Sequence, residues 1–265
     1  MSVNVADNFR SHREIFSSYC RLTFVLIILA GCGNHGDKGV ANGGTTTPIL
    51  LFNGTGVSPN DVTAIGTILD NNHLKYATIN SAQLNGMNLS QLKNYRLLIV
   101  PGGNFIDMGK SLAPATAANI RSAAQGGLSY LGICAGSFLA GYSKYYNGFN
   151  LTSGVTFGFY SAENKGVRKA ALAISHPDGK VLEQYWEDGP QLTGWGNALA
   201  KYPDGSPAVT QEKCGVGLVI LTGIHAEAPA YWRGGMVFHT PVNTDNAYAA
   251  MLIKAALNGT LLPHY

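Results

Sequence analysis

The sequence predicts one α/β domain, in which helices cover both faces of a largely parallel sheet. Three observations lead to this prediction. Short continuous apolar runs, typical of strands buried on both faces, recur along the chain. Segments with a helical apolar stripe alternate with these runs, as in parallel sheets joined by helical crossovers. The 265 residues contain no internal repeat and no second-domain boundary, and they are enough to bury an ample core.

The first strand and the first helix carry the clearest signals. The apolar run Pro48–Phe52 predicts a buried strand, and Asn53–Gly56 turns the chain. A helix then begins with a capping serine, a proline in the first turn and an acidic third position, supplied by Ser58, Pro59 and Asp61. Its apolar stripe consists of Val62, Ile65, Ile68 and Leu69.

The remaining elements continue the alternation. Strands are predicted at Tyr76–Ile79, Leu97–Val100, Leu128–Ile133, Ala171–Ser175, Ala208–Thr210 and Gly217–Leu221. Further helices are predicted at about Pro114–Gln125, from Ala135 onward, and at about Asn243–Asn258. Two aromatic-rich segments are predicted as loops: Tyr142–Gly166, over the cleft, and Tyr185–Leu192, which also contains acidic residues.

Composition and cysteine usage exclude several classes of protein. A net charge of +3 with dispersed Lys and Arg argues against a nucleic-acid surface. The four cysteines, Cys20, Cys32, Cys134 and Cys214, form no Cys-x-x-Cys pair and no zinc-type spacing with histidine. We therefore expect no metal site, no cofactor and no disulfide framework. A bridge between Cys134 and Cys214 stays open if the mature protein is extracytoplasmic.

The amino terminus has the pattern of a secretory signal. Charged residues precede the apolar run Leu22–Ala30, which is too short to span a bilayer comfortably. The run ends in Leu29–Cys32, reading Leu-Ala-Gly-Cys, which resembles the lipobox of bacterial lipoproteins. That resemblance implies removal of residues 1–31, acylation of Cys32 and a membrane anchor in the bacterial cell envelope, on the periplasmic side of the outer membrane if the cell is Gram-negative. An ordinary buried strand is the alternative.

The three regions follow from this pattern. Residues 1–31 are the predicted signal peptide, and residues 32–47 are a predicted polar, glycine-rich tether. Residues 48–265 are the predicted folded domain.

A strand-to-helix corner presents the candidate nucleophile. Residues Gly132–Gly136 read Gly-Ile-Cys-Ala-Gly, and the two glycines permit a sharp turn that exposes the Cys134 sulfur. The helix that starts at Ala135 would stabilise a thiolate through its free N–H groups. The alternative is a structural cysteine between glycines that only help a helix to pack.

A candidate base and its orienting partner follow the last predicted strand. Residues two apart in an extended segment face the same side, so Glu227 can reach the His225 ring. Beside the corner, His225 could take the proton of Cys134, which would complete a nucleophile, base and orienter set. A satisfied strand-end histidine is the alternative for His225, and His239 is a rival base.

Gly102 and Gly103 follow the third strand at the edge of the sheet where open α/β folds bind ligands. Their backbone N–H groups, with that of Ala135, are the candidate oxyanion donors. A simple turn is the alternative.

These pieces together resemble the class I glutamine amidotransferase-like superfamily, from about Pro48 to Leu262. Within it the chain looks most like the N-terminal domain of biotin-protein ligases. The motifs that carry the resemblance are Val100–Gly103, Gly132–Gly136, Trp186–Pro190, Val219–Leu221 and His225–Glu227. The resemblance implies a flavodoxin-like sheet, with Cys134 as nucleophile, His225 as base and Glu227 as its partner.

One departure from the family and one further likeness bear on function. Glutaminases of the superfamily carry a His-Gln pair after the second glycine of the corner, where this chain has Ser137 and Phe138. The corner is also similar to the Gly-x-Ser-Ala-Gly corner of the peptidase E and cyanophycinase branch. No biotin-ligase motif and no synthase domain accompanies the domain, so ligase activity is not implied.

The sequence therefore favours a membrane-anchored cysteine amidohydrolase that acts on a small amide or peptide. One alternative is a ligand-binding or scaffolding lipoprotein without turnover. A second is a peptidase related to the peptidase E branch.

Overall fold

A nine-stranded sheet organises the part of the chain that the computed structural model describes, residues 47–160, 166 and 168–265. The signal peptide, Cys32 and nearly all of the tether lie outside the described residues. Two further short strands form a separate ribbon. The strands are β1 (Ile49–Phe52), β2 (Tyr76–Ile79), β3 (Leu97–Val100), β4 (Ser129–Ile133), β5 (Gly158–Phe159), β6 (Lys169–Ser175), β7 (Val181–Glu187), β8 (Pro190–Gln191), β9 (Asn197–Lys201), β10 (Pro207–Cys214) and β11 (Gly217–Thr222).

Helices connect and cover the strands. Ser58 caps the first of them by accepting a hydrogen bond from the Asp61 N–H at 3.4 Å, as the sequence predicts. The α-helices are α1 (Pro59–Asn71), α2 (Ser81–Asn85), α3 (Leu89–Leu92), α4 (Phe105–Ser111), α5 (Pro114–Gln125), α6 (Ala135–Ala140) and α7 (Val242–Asn258), and a short 3-10 helix covers Ala230–Arg233. Among the described residues no helix is both long and apolar enough to cross a bilayer.

The strand order confirms the predicted α/β class. It runs β2-β1-β3-β4-β11-β10-β9-β6-β7, and the first five strands are parallel neighbours. The register pairs Thr222 of β11 with Ile133 of β4, so the carboxyl ends of these strands meet at one edge. This edge holds the loops that carry Cys134 and His225.

Each buried strand packs on both of its faces. Ile49 and Leu51 of β1 contact the apolar cluster beneath α1 and α7, whereas Leu50 and Phe52 contact the cluster beneath α5 and α6. Side chains of a strand alternate between its faces, so a strand covered on both sides needs an unbroken apolar run. This explains why the parallel strands stand out in the sequence.

The second half of the sheet differs from the parallel half. β10, β9, β6 and β7 add to β11 as antiparallel strands, and the sequence analysis missed β7 and β9. The prediction of a loop over Tyr185–Leu192 was wrong. Its first three residues finish β7, and the chain turns at Asp188, whose φ is 46°, before β8. Burial of Tyr185 and Trp186 against the core accounts for the aromatic character of this segment.

Candidate active site

The corner after β4 places Cys134 at a tight turn into α6. Cys134 has φ 50°, a left-handed conformation that side chains rarely adopt, and its side chain is buried. A Cβ on Gly136 would lie 2.0 Å from the Val100 carbonyl oxygen, and one on Gly132 would lie 2.7 Å from the Gly136 backbone. Both glycines are therefore required by the close approach of β3, β4 and α6.

Ser137 ties the corner to β11. Its buried Oγ accepts a hydrogen bond from the Thr222 N–H at 3.0 Å and lies 2.8 Å from the Gly132 carbonyl oxygen. The Cys134 N–H donates to the Thr222 carbonyl at 2.8 Å. The end of β11 thus fixes the corner, and the residues that follow β11 are held beside it.

His225 lies in the segment that leaves β11, and its ring is positioned from several sides. The backbone N–H of His225 donates to the Tyr185 carbonyl at 2.8 Å. The rings of Tyr185 and Trp232 contact the imidazole edge to face. On the ring itself, Nδ1 lies 2.8 Å from Glu227 Oε1. The structure thus brings together the two residues that the sequence paired.

A second carboxylate, Asp61, also faces the His225 ring. Asp61 Oδ1 lies 3.2 Å from Nδ1, and Asp61 is buried in the first turn of α1. The sequence analysis treated Asp61 only as an acidic residue of a helix start. A pattern along the chain gives no signal for a partner 164 residues away, so this contact depends on how α1 docks against the end of β11.

Two opposing effects set the protonation of this cluster: burial disfavours charged groups, and contacts between opposite charges favour them. Burial disfavours a charged His225, but the Glu227 carboxylate, the Cys134 sulfur and Asp61 outweigh it and hold the His225 pKa well above its ordinary value. Burial also opposes ionisation of Asp61, yet His225, the Ser58 hydroxyl and the Gly102 N–H lower its pKa. Burial dominates at Glu227 and raises the pKa of that carboxyl. The favoured state is an imidazolium beside an ionised Asp61.

The Cys134 sulfur helps to raise the pKa of the His225 ring, and both residues line the same cavity. The two carboxylates lie beside Nδ1, so Nε2 is the ring nitrogen that remains for the sulfur. The sulfur is also 3.5 Å from the Glu187 carbonyl oxygen.

A cavity of about 480 Å³ opens over this pair of groups. Its volume is in the range of small-molecule sites. An aromatic wall, an acidic rim and the corner surround it; the lining residues are Ser58, Asp61, Gly103, Asn104, Phe105, Cys134, Ala135, Phe138, Phe159, Arg168, Glu187, Asp188 and His225.

Two of the three candidate oxyanion donors line the cavity. The N–H groups of Gly103 and Ala135 donate no hydrogen bond within the described part of the chain. Gly102 differs, because it does not line the cavity and its N–H helps to lower the pKa of the Asp61 carboxyl. A Cβ at Gly102 would lie 2.3 Å from Asp61 Oδ1 and 2.8 Å from His225 Cε1. The absence of a side chain at Gly102 therefore leaves the space in which Asp61 and His225 meet.

Comparison with known proteins gives the family context. Residues 47–168 match the family model described as biotin-protein ligase, N terminal. The fold is similar to that of a protein from Thermoplasma acidophilum described as part of a GMP synthase, at 12% identity and a TM-score of 0.50, over 80% of this chain and 96% of that one. A glutamine amidotransferase from Thermotoga maritima aligns at 12% identity and a TM-score of 0.45, over 81% and 90% of the two chains. Residues 47–168 thus resemble the N-terminal domain of biotin-protein ligases, and the chain shares its fold with the Thermoplasma acidophilum protein.

Other similarities are more partial. An exo-β-1,4-mannosidase from Opitutaceae bacterium strain TAV5 aligns at 12% identity and a TM-score of 0.48, over 79% of this chain. The chain spans 36% of that mannosidase and 30% of a GH42 β-galactosidase. No curated protein sequence matches the chain.

The other cysteine and the rival histidine lie away from the cavity. Cys214 ends β10 beside the amino end of β11, about 20 Å from the opposite edge if each strand residue rises about 3.3 Å. Both Cys134 and Cys214 are free thiols, so the bridge between them does not form. The exposed His239 pairs with Glu183, and neither lines the cavity.

Asp61, His225 and Glu227 form the one set of possible metal ligands found among the described residues. Glu227 Oε1, 2.8 Å away, shares a hydrogen bond with His225 Nδ1, whereas Asp61 Oδ1, at 3.2 Å, faces the ring as a charge and has no hydrogen-bond partner among the described residues. The set thus fits an imidazolium held between two carboxylates.

Proposed function

We propose that this protein is a cysteine amidohydrolase that acts on a small amide or peptide. One observation carries the proposal: Cys134 and His225 meet on the wall of a cavity whose backbone N–H groups are open to a ligand. Glu227 and Asp61 support the imidazole from behind. This is the nucleophile, acid–base and orienter arrangement of covalent acyl transfer.

The protonation of the cluster suggests how the reaction proceeds. The raised pKa of His225 favours an imidazolium, so His225 begins as the acid, and the nucleophile in this proposal is the Cys134 thiolate. The thiolate attacks the amide carbon, and the N–H groups of Gly103 and Ala135 stabilise the oxyanion. As the C–N bond breaks, His225 gives its proton to the leaving amine.

The second half-reaction restores the enzyme. His225, now neutral, takes a proton from a water molecule that attacks the thioester. The C–S bond breaks, the carboxylic acid leaves, and the thiolate and imidazolium form again. Asp61 and Glu227 act as positioning residues, because both contact Nδ1 and keep Nε2 directed at the sulfur.

The proposal also includes a location. Acylation of Cys32 would anchor the domain to a membrane of the bacterial cell envelope, and residues 32–47 would hold it away from the surface. Incorporation of labelled palmitate into the full chain, lost in Cys32→Ser, is the expected result. A Cys32→Ser protein that still partitions into membranes would contradict the anchor.

Site-resolved thiol labelling tests the catalytic part. The full-length protein is treated with iodoacetamide at neutral pH, and the labelled cysteines are identified by peptide mass mapping. We expect Cys134 to react faster than free cysteine. Cys214 serves as the internal control, because burial raises its pKa and no imidazole contacts it in the described structure.

Turnover is tested with a library of small amides and dipeptides. Wild type is expected to hydrolyse at least one of them, and Cys134→Ala is expected to be inactive. Mass spectrometry should detect an acyl adduct on Cys134 during turnover. If Cys134 labels no faster than Cys214, that result would contradict the proposed enzyme activity.

A binding protein without turnover is the second candidate. Two observations favour it: the Ser137 hydroxyl is consumed in packing, and Phe138, at the next position, lines the cavity with an apolar ring. These positions therefore hold no polar pair for glutamine. Ligand binding with equal affinity in wild type and Cys134→Ala, without hydrolysis, would favour this candidate. The peptidase alternative predicts dipeptides among the library substrates.

A further inference from the structure

The cavity over Cys134 is lined both by apolar rings and by an excess of carboxylates, and these two features bear on the substrate. We propose that the substrate is an amide whose acyl part carries a positively charged amine, bound by Glu187, and an apolar group packed on the phenylalanine wall. The proposal rests on the proposed function, because it deepens the chemistry of the same site.

The apolar side is a cluster of three rings. Phe105 stacks on Phe138 at a centroid distance of 4.4 Å, and Phe138 contacts Phe159 at 4.9 Å. Phe159 remains 40% exposed beside the opening. An aliphatic or aromatic side chain of a ligand would remove this surface from water.

The charged residues of the lining carry an excess of negative charge. Asp61, Glu187 and Asp188 line the cavity, while Arg168 and His225 are its basic lining residues. Arg168 forms an ion pair with Asp188. His225 is already shared by two carboxylates.

Glu187 is the carboxylate that remains for a ligand. Within the described chain no basic side chain pairs with it. The Tyr185 hydroxyl donates a hydrogen bond to its Oε2 at 2.5 Å, which fixes the carboxylate at the rim. Asp188 Oδ1 is buried and has no hydrogen-bond partner among the described residues, so this rim retains further acceptor capacity.

The backbone of Glu187 lies next to the sulfur of the proposed nucleophile. Its carbonyl oxygen is 3.5 Å from the Cys134 sulfur. In an α-amino acyl amide the amine lies about 2.5 Å from the carbonyl carbon, one atom away along the chain. Because Glu187 lines the same cavity as Cys134, we place this amine at the Glu187 carboxylate, where an anionic acyl group would be repelled.

The first test measures charge selectivity without turnover. The full-length protein is treated with 2-(trimethylammonium)ethyl methanethiosulfonate and with its 2-sulfonatoethyl analogue, and Cys134 labelling is followed by peptide mass mapping. Relative to free cysteine, we expect the cationic reagent to be favoured about tenfold, as for a unit charge near a protein surface. In Glu187→Gln the preference should largely disappear.

The control is Asp178→Asn, which removes a unit of negative charge at an exposed site that does not line this cavity. It should keep the wild-type selectivity. Equal rates for the two reagents in wild type, or an unchanged preference in Glu187→Gln, would overturn the inference.

The second test uses phenylalanyl anilide with a free or an acetylated amine. The free amine should give the higher kcat/KM, and Glu187→Gln should remove the difference. Hydrolysis without this preference would overturn the substrate class and leave the hydrolase intact. Cationic selectivity in labelling, with no amide hydrolysed, would refute the hydrolase and support Glu187 as the cation-binding group of a binding site.

Discussion

Replacing Gly102 with alanine tests the geometry of the cluster most directly. The added Cβ would lie 2.3 Å from Asp61 Oδ1 and 2.8 Å from His225 Cε1, where ordinary contacts begin at 3.4 Å. The carboxylate must therefore move by about 1 Å or the loop after β3 must shift, and such overpacking costs about 1–3 kcal/mol. Either movement disturbs the contacts at His225 Nδ1, so we also expect slower alkylation of Cys134.

A double-mutant cycle isolates the contact. The free energy of unfolding is measured in urea for wild type, Gly102→Ala, Asp61→Ala and the double variant. Because Asp61→Ala removes the atom that the new Cβ meets at 2.3 Å, Gly102→Ala should cost less in that background, with a coupling of about 0.5–3 kcal/mol. The His225 contact keeps the remaining cost above zero.

A matched control is Gly86→Ala, at an exposed helix end with φ −79°, where the Cβ would meet atoms at 3.4 Å or beyond. Its unfolding free energy should stay within about 0.5 kcal/mol of wild type. The reasoning is refuted if Gly102→Ala costs the same with and without the Asp61 carboxylate, or if it leaves Cys134 alkylation at the wild-type rate.

Two further predictions concern charge. Asp61 and Glu227 both raise the pKa of His225, so its imidazolium persists as pH rises above the ordinary range; in Asp61→Asn the ring should titrate at lower pH, as measured by NMR of its Cε1. An unchanged titration would contradict the Asp61 contact. Arg233 pairs with Asp245 at 2.5 Å in a buried site, so Asp245→Asn should lower the free energy of unfolding by about 3–5 kcal/mol. Asp178→Asn, in an exposed ion pair, should leave the urea midpoint unchanged; equal effects of the two substitutions would contradict the buried pair.

Local signals in the sequence predicted the parallel half of the fold well. β1, β3 and β4 are unbroken apolar runs because helices cover both of their faces. β7 was missed because it has no unbroken apolar run: only Gln184, Tyr185 and Trp186 are buried, and polar residues interrupt the strand. An antiparallel edge of this kind resembles a loop in composition.

The candidate site divides in the same way. The corner at Cys134 and the pairing of His225 with Glu227 are properties of residues close together in sequence, and the sequence predicted both. Asp61 was missed because its role arises from the docking of α1 beside β11. The space at Gly102 also depends on that docking, because Asp61 and His225 converge on it.

The sequence by itself determined the α/β class, the nucleophile corner and the imidazole–carboxylate pair, because steric limits on glycine and the periodicity of strands act over a few residues. Only the tertiary structure decided that two carboxylates lie at one imidazole and that phenylalanine rings and an excess of carboxylates line one cavity. Those arrangements depend on distances between distant segments, and burial then fixes their charges, which no local pattern encodes.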